Sequence, residues 1–308
     1  MGRTAFIFPG QGAQYAGMGK DFYEQIPLCR QVMDMAGEIA ELDLKKLCFE
    51  ENEQLHITEF TQIAMIAVEA AILKALEAEG IRPQVAAGLS LGEYGAVLAA
   101  GVLSMEDTFS VVRKRGIYMQ EAVPEGGAMS AVLGLSGEQV EQICEKEPGM
   151  VSVANYNCPG QVVITGEARA VENASEKLKD AGARRVLPLK VSGPFHSPML
   201  KKAEERLRET LKEISIQKPW IPYAANVTAK YVTEAQEVKE LLARQVSSPV
   251  KWQQCVETML ADQVDTFIEV GPGKTLSSFM RKIDRNVRVL NIQTLEDFQT
   301  VVKALKER

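Results

Sequence analysis

Val85-Ala86-Ala87-Gly88-Leu89-Ser90-Leu91-Gly92-Glu93 is the stretch on which the fold turns. The run Val85–Ala87 has the continuous apolar character of a buried strand and breaks at Gly88. A helical pattern then resumes through Glu93-Tyr94-Gly95-Ala96-Val97-Leu98-Ala99-Ala100. G-x-S-x-G between a strand and a helix is the nucleophile elbow, whose turn is so sharp that neighbours lacking a Cβ are needed for strand and helix to approach. A helix opening at Leu91 turns its free N–H groups and positive dipole end toward Ser90. Ser90 is therefore a candidate nucleophile, which leaves a base, oxyanion donors and an acyl-selecting group to be found elsewhere in the chain.

Composition narrows the setting. The 308 residues suffice for one large domain with an insertion or for two moderate ones, and 46% hydrophobic with 25% charged residues describes an ordinary soluble globular protein. A net charge of −6 argues against nucleic acid as the main partner. The 5 cysteines (Cys29, Cys48, Cys144, Cys158, Cys255) are scattered, with no C-x-x-C pair, and read as reduced thiols of a cytoplasmic protein with neither a disulfide framework nor a zinc site. The N-terminus leads straight into a strand, so no signal peptide is expected. The most apolar helix, about 61–76, carries Glu69 and Lys74 and is too short to span a bilayer, so no membrane role is expected.

Ala5-Phe6-Ile7-Phe8 reads as a strand ended by Pro9 and followed by the turn Gly10-Gln11-Gly12-Ala13-Gln14. This turn lacks the third glycine of a dinucleotide loop, since Tyr15 stands there. Its exposed N–H groups at and around Gln11 suit a second oxyanion donor, which in serine acyl-transfer folds comes from a loop after another strand. Residues 16–48 read as short helices, and 58–79 as a long helix with Ile63, Ile66, Ala67, Ala70, Leu73 and Leu76 as its buried stripe, stopped by Gly80. Ser104 and Asp107 form a capping-box pattern for the next helix. Its apolar face carries Val112, Arg115 and Met119, and Arg115 is either a snorkelling or structurally paired arginine or a clamp for an anionic substrate group.

Pro124-Glu125-Gly126-Gly127 marks a boundary. Beyond it the pattern is β (128–135), α (137–147, capped by Ser136), β (151–156), β (161–165), α (168–181, stopped by Gly182) and β (184–191), the order of a ferredoxin-like unit. The expected fold is thus α/β: an α/β-hydrolase-like core with a parallel sheet and nucleophile elbow, formed by 1–126 and 196–308, with a ferredoxin-like (βαββαβ) small subdomain at 127–195. Ser197 and Pro198 open a helix over 199–214; a strand at 221–226, helices at 238–246 and 250–261, a strand at 266–270, a strand at 287–292 and a helix at 295–305 follow. Gly271-Pro272-Gly273-Lys274-Thr275 resembles the end of a phosphate loop, but Ile268 stands where that motif needs glycine.

There are 2 histidines. His56 lies in a polar stretch and reads as a surface residue. His196 sits in a glycine–proline turn at a helix start, whose positive end favours a neutral imidazole, and it is the histidine left to activate Ser90. No suitable acid lies between them, because Asp107 and Asp180 both read as helical, so a Ser–His dyad is expected rather than a full triad.

Phe8-Pro9-Gly10-Gln11-Gly12, Gly88-Leu89-Ser90-Leu91-Gly92-Glu93, Arg115-Gly116, Gly193-Pro194-Phe195-His196, Gln245 and Glu269-Val270-Gly271-Pro272-Gly273 occur in one order along essentially the whole chain. In this the sequence resembles the malonyl-CoA:acyl carrier protein transacylases of type II fatty acid synthesis. The resemblance implies Ser90 as the acylated nucleophile and His196 as its base, oriented by the backbone carbonyl of Gln245. It implies an oxyanion hole from the backbone N–H groups of Gln11 and Leu91, a malonyl-carboxylate clamp at Arg115, and Phe195 as the residue that leaves little room for a 2-methyl branch. The family usually has histidine where this chain has Leu89, which bears on the polar contacts of the elbow alone. It also implies no permanently bound cofactor, with the coenzyme A thioester and the carrier's phosphopantetheine as substrates. The implied partners are malonyl-CoA and acyl carrier protein, with Lys190, Lys201 and Lys202 as candidates for a basic docking patch and a monomer as the default. Other readings of the same dyad are a stand-alone malonyl transferase of a polyketide synthase, a serine thioesterase or hydrolase, and a carrier-binding scaffold without catalysis.

Overall fold

A computed structural model describes residues 2–123, 125–189, 191 and 193–307. Pro124 of the expected boundary and Lys190 of the expected docking patch lie outside the described residues. In chain order the strands are β1 (Arg3–Phe8), β2 (Val85–Gly88), β3 (Gly127–Leu133), β4 (Val151–Cys158), β5 (Gln161–Glu167), β6 (Arg185–Pro188), β7 (Tyr223–Ala224), β8 (Tyr231–Val232), β9 (Val264–Val270) and β10 (Arg288–Ile292). They form an α/β protein with a six-stranded sheet in the order β10-β9-β1-β2-β7-β8 and a four-stranded sheet in the order β4-β5-β3-β6. All pairs of the larger sheet are parallel except β7–β8, and all pairs of the smaller are antiparallel.

The central strands are short and apolar on both faces because both faces are covered. Phe6, Phe8, Ala86 and Ile268 belong to one core cluster, while Ala5, Ile7, Val85, Ala87 and Phe267 belong to a second, so alternate residues of one strand serve opposite cores. The helix Thr58–Ala78 is buried nearly all round. The expected stripe understates this: Ala64, Met65 and Val68 are buried as well, since the helices Pro27–Ala40 and Met105–Ala122 pack against it. Such a helix needs no polar face.

Several boundaries differ from the sequence reading. The strand expected at 221–226 shrinks to Tyr223–Ala224, and the short β8 pairs with it unexpectedly. The helix after His196 opens as a 3-10 turn, Pro198–Leu200, with Ser197 Oγ accepting from the Met199 N–H, before the α-helix Lys201–Lys212. Ser104 Oγ accepts from Asp107 N–H at 3.0 Å, the first half of a capping box, whereas Ser136 and Gln139 complete one. At the glycine turn after β9 the helix Thr275–Ile283 takes its N-terminal anion from within: Glu269 accepts from the N–H groups of Leu276 at 2.9 Å and Ser277 at 2.8 Å. A carboxylate thus fills the position where a phosphate loop would hold its ligand.

Candidate active site

The turn after β2 is built by steric necessity. A Cβ at Gly88 would lie 1.9 Å from Gly92 C, and one at Gly92 would lie 2.1 Å from Phe8 O, so both positions admit only glycine. Ser90 between them has φ 55°, the left-handed region that L-residues avoid without restraint. Asn226, just past β7, supplies that restraint: its Oδ1 accepts from Ser90 N–H at 2.7 Å and its Nδ2 donates to Gly88 O at 2.7 Å. The loop after β1 lies against the same turn, where a Cβ at Gly10 would meet Leu89 O at 2.5 Å. Among the described residues no hydrogen bond uses the backbone N–H of Gln11 or of Leu91, and both residues line the cleft beside Ser90.

Ser90 Oγ lies 2.7 Å from His196 Nε2, and His196 Nδ1 lies 2.8 Å from Gln245 O. A carbonyl oxygen can only accept, so Nδ1 carries the proton and Nε2 is left as acceptor for the serine hydroxyl. His196 is itself at φ 58° and is 4% exposed. Burial first, and the Arg115 charge second, push its pKa down to about 4, so the ring is neutral near pH 7. Desolvation and a neighbouring cation are causes of this neutrality that an argument from the helix start does not include.

Arg115 is 1% exposed, settling the snorkelling alternative against itself. Its Nη1 donates to Gln62 Oε1 at 2.6 Å and its Nη2 to Gln245 Oε1 at 2.9 Å and Ser90 Oγ at 3.3 Å, while Nε has no partner. Among the described residues no carboxylate lies within ion-pair distance of this guanidinium. Burial pulls its pKa down, offset by Tyr94 and then Glu93. Its neighbour Arg113 is spent differently, on a 3.0 Å pair with Glu59.

The cleft over Ser90 encloses about 220 Å³. Gln11, Leu89 and Leu91 line it from the parallel sheet, Met129, Asn155 and Val163 from the antiparallel one, and Phe195 and His196 from the segment between. The structure thus brings Ser90, His196, Gln245, Arg115, Gln11, Leu91 and Phe195 together. His56 is exposed, and of the described lysines of the expected patch Lys201 is held by Glu204 at 2.6 Å while Lys202 is exposed. Sequence reasoning missed Asn226, Gln62, Glu93 and the Gln245 side chain. The one signal available for Asn226, Gln62 and Glu93 was their chemistry, an amide or acid among mostly apolar neighbours, and it does not say what each meets.

The match to an acyl transferase domain covers residues 5–296. Over its whole length the chain is 44% identical to a protein called malonyl CoA-acyl carrier protein transacylase from Bacillus subtilis, of which it covers 98%. The fold superposes with a TM-score of 0.95 on the crystal structure of a malonyl CoA-acyl carrier protein transacylase from Clostridium perfringens, at 45% identity over 99% of this chain and 98% of that one. The same TM-score, 0.95, at 36% identity over 98% of this chain and 99% of the other, relates it to a malonyl-transacylase solved with its type II polyketide acyl carrier protein.

Proposed function

The chain belongs to the malonyl CoA-acyl carrier protein transacylases of the acyl transferase family, and from that membership we infer that it carries a malonyl group from malonyl-CoA to the phosphopantetheine thiol of an acyl carrier protein, for fatty acid synthesis. The observation that carries the site assignment is one hydroxyl, Ser90 Oγ, within reach of both a neutral imidazole at 2.7 Å and a buried guanidinium at 3.3 Å. Ser90 Oγ attacks the thioester carbonyl while its proton passes to His196 Nε2. The Gln245 carbonyl holds the imidazolium by its Nδ1–H, in the place an aspartate takes in a triad. The oxyanion rests on the Gln11 and Leu91 N–H groups, each such donor being worth about 2.7–4 kcal/mol at the transition state. Coenzyme A leaves as its thiol with the proton from His196, and the malonyl-serine ester remains. In the second half the carrier's thiol gives its proton to His196 as its sulfur attacks the ester, and His196 returns that proton to Ser90 Oγ as the ester bond breaks.

Arg115 pairs with the malonyl carboxylate and rejects neutral acyl chains, which would leave a buried charge uncompensated. Phe195 closes the space a 2-methyl branch would need. The chemistry calls for no metal or resident cofactor, because the coenzyme A thioester and the carrier's phosphopantetheine thiol are both substrates. The wider reading keeps an α/β-hydrolase-like core of 1–126 and 196–308, a ferredoxin-like subdomain at 127–195, and a cytoplasmic monomer. No described helix is long and apolar enough to cross a membrane. The likeness to a complex with a polyketide carrier keeps a polyketide acceptor as a second reading. The test is intact-mass analysis after mixing with malonyl-CoA: the native protein gains one malonyl group and Ser90→Ala gains none. No adduct on the native protein overturns the assignment.

A further inference from the structure

We propose that the side chain of Gln245, seated between Glu93 and Arg115, is the positioning residue that ties the acid-selecting cation to the bond-making serine. This rests on the acyl-transfer reading and goes beyond it, since that reading uses only the Gln245 backbone. Gln245 closes the helix Ala235–Gln245 and is fully buried. Its Nε2 donates to Ser90 O at 2.7 Å and Glu93 Oε2 at 2.6 Å, and its Oε1 accepts from Arg115 Nη2 at 2.9 Å. The amide can sit only this way round. Ser90's carbonyl has no proton to give and the guanidinium no lone pair to offer, so a flip would oppose donor to donor and acceptor to acceptor.

One residue therefore grips the nucleophile's carbonyl, the base (through its own carbonyl) and the clamp. It also keeps the clamp's charge available to a substrate. Glu93 acts on Arg115 through an interposed amide, so no carboxylate quenches the fork directly, and a substrate acid finds Nη2 already 3.3 Å from Ser90 Oγ. Gln62 holds the other end of the guanidinium with a second neutral oxygen at 2.6 Å. Two amide oxygens fix the cation's place while leaving its charge to be satisfied by the ligand.

The test separates the side chain from the backbone. Gln245→Met keeps the carbonyl that holds His196 and deletes the amide; Gln245→Glu keeps the shape and puts a carboxylate directly on Arg115. Steady-state kcat and KM are measured for malonyl-CoA and acetyl-CoA with the holo carrier, with thermal melting as a check on folding. The expected result is a malonyl-to-acetyl ratio of kcat/KM reduced roughly tenfold or more in both variants, the scale of one charge-assisted hydrogen bond. KM for malonyl-CoA should rise in Gln245→Glu. Equal losses for both donors, or an unchanged ratio in the near-isosteric Gln245→Glu, would overturn the inference. Native protein that still acylates Ser90 with malonate alongside such a result would leave the acyl-transfer reading standing, whereas an unacylated native protein would remove that reading itself.

Discussion

Acidifying the acylation step probes the candidate base directly. His196 is held at a pKa of about 4, against 6.5 for the free side chain, by burial first and the Arg115 charge second. A ring with that pKa is about 97% neutral at pH 5.5, whereas an unperturbed one is about 9% neutral, so the two cases differ about tenfold in competent base at that pH. Rapid-quench measurement of Ser90 malonylation at low malonyl-CoA gives kcat/KM, which reports the free enzyme's ionisations. The expected profile keeps its plateau down to about pH 5 and falls toward pH 4. Glu93, raised to about 7 by burial and drawn back by Gln245, Asn226 and Arg115, adds a second ionisation above that limb. Glu93→Gln removes that second ionisation, and the limb near 4 must persist in it. Deleting the cation in Arg115→Met makes the protonated imidazole less unfavourable, so the limb should move upward. A native limb centred near 6.5, or no shift in Arg115→Met, would refute the account of how the base is kept neutral.

Arg115→Ala should cut malonyl transfer by about 10² to 10⁴, from two charge-assisted hydrogen bonds of about 1.5–3 kcal/mol each, with a far smaller loss for acetyl. Parallel losses on both donors, compared as kcat/KM, would sink the clamp. Asn226→Ala leaves the Ser90 N–H and Gly88 C=O without partners and should cost about 2–4 kcal/mol in urea unfolding, with slower acylation by mass spectrometry. A loss below about 1 kcal/mol would mean that the elbow does not depend on this side chain.

What could be read from the chain was whatever is local. Ser90's turn announced itself because Gly88 and Gly92 are sterically obligatory, and the order of strands and helices followed from apolar runs and glycine stops. Arg115 could be placed on an apolar helix face by spacing alone, but its role stayed open, since spacing gives no partner. Asn226 was invisible for the opposite reason: its position after β7 is ordinary, and its meaning lies in Ser90 and Gly88, far away in sequence. The long helix Thr58–Ala78 hid Gln62 in a similar way. A single amide in an apolar run reads as a tolerated polar residue until the guanidinium it faces is known. The part that burial plays in His196's neutrality is out of reach for the same reason, as burial is a property of the assembled fold.

Both reacting residues sit in the left-handed region, Ser90 at φ 55° and His196 at φ 58°. Non-glycine residues held there cost about 1–3 kcal/mol apiece, so something must hold them. For Ser90 the holding groups are the Asn226 side chain on its N–H and, on its C=O, the Gln245 side chain and the Glu93 N–H at 3.1 Å, the two side chains being more than a hundred residues downstream. For His196 the turn is closed locally by Phe195 N–H on Gly193 O at 3.0 Å and Ser197 Oγ on Pro194 O at 2.7 Å, and its ring is fixed by Gln245 again. The strain is thus local and the restraint is largely global. A peptide carrying the elbow alone would relax out of its turn, and the pairing of hydroxyl with imidazole exists only where the end of the helix Ala235–Gln245 reaches both.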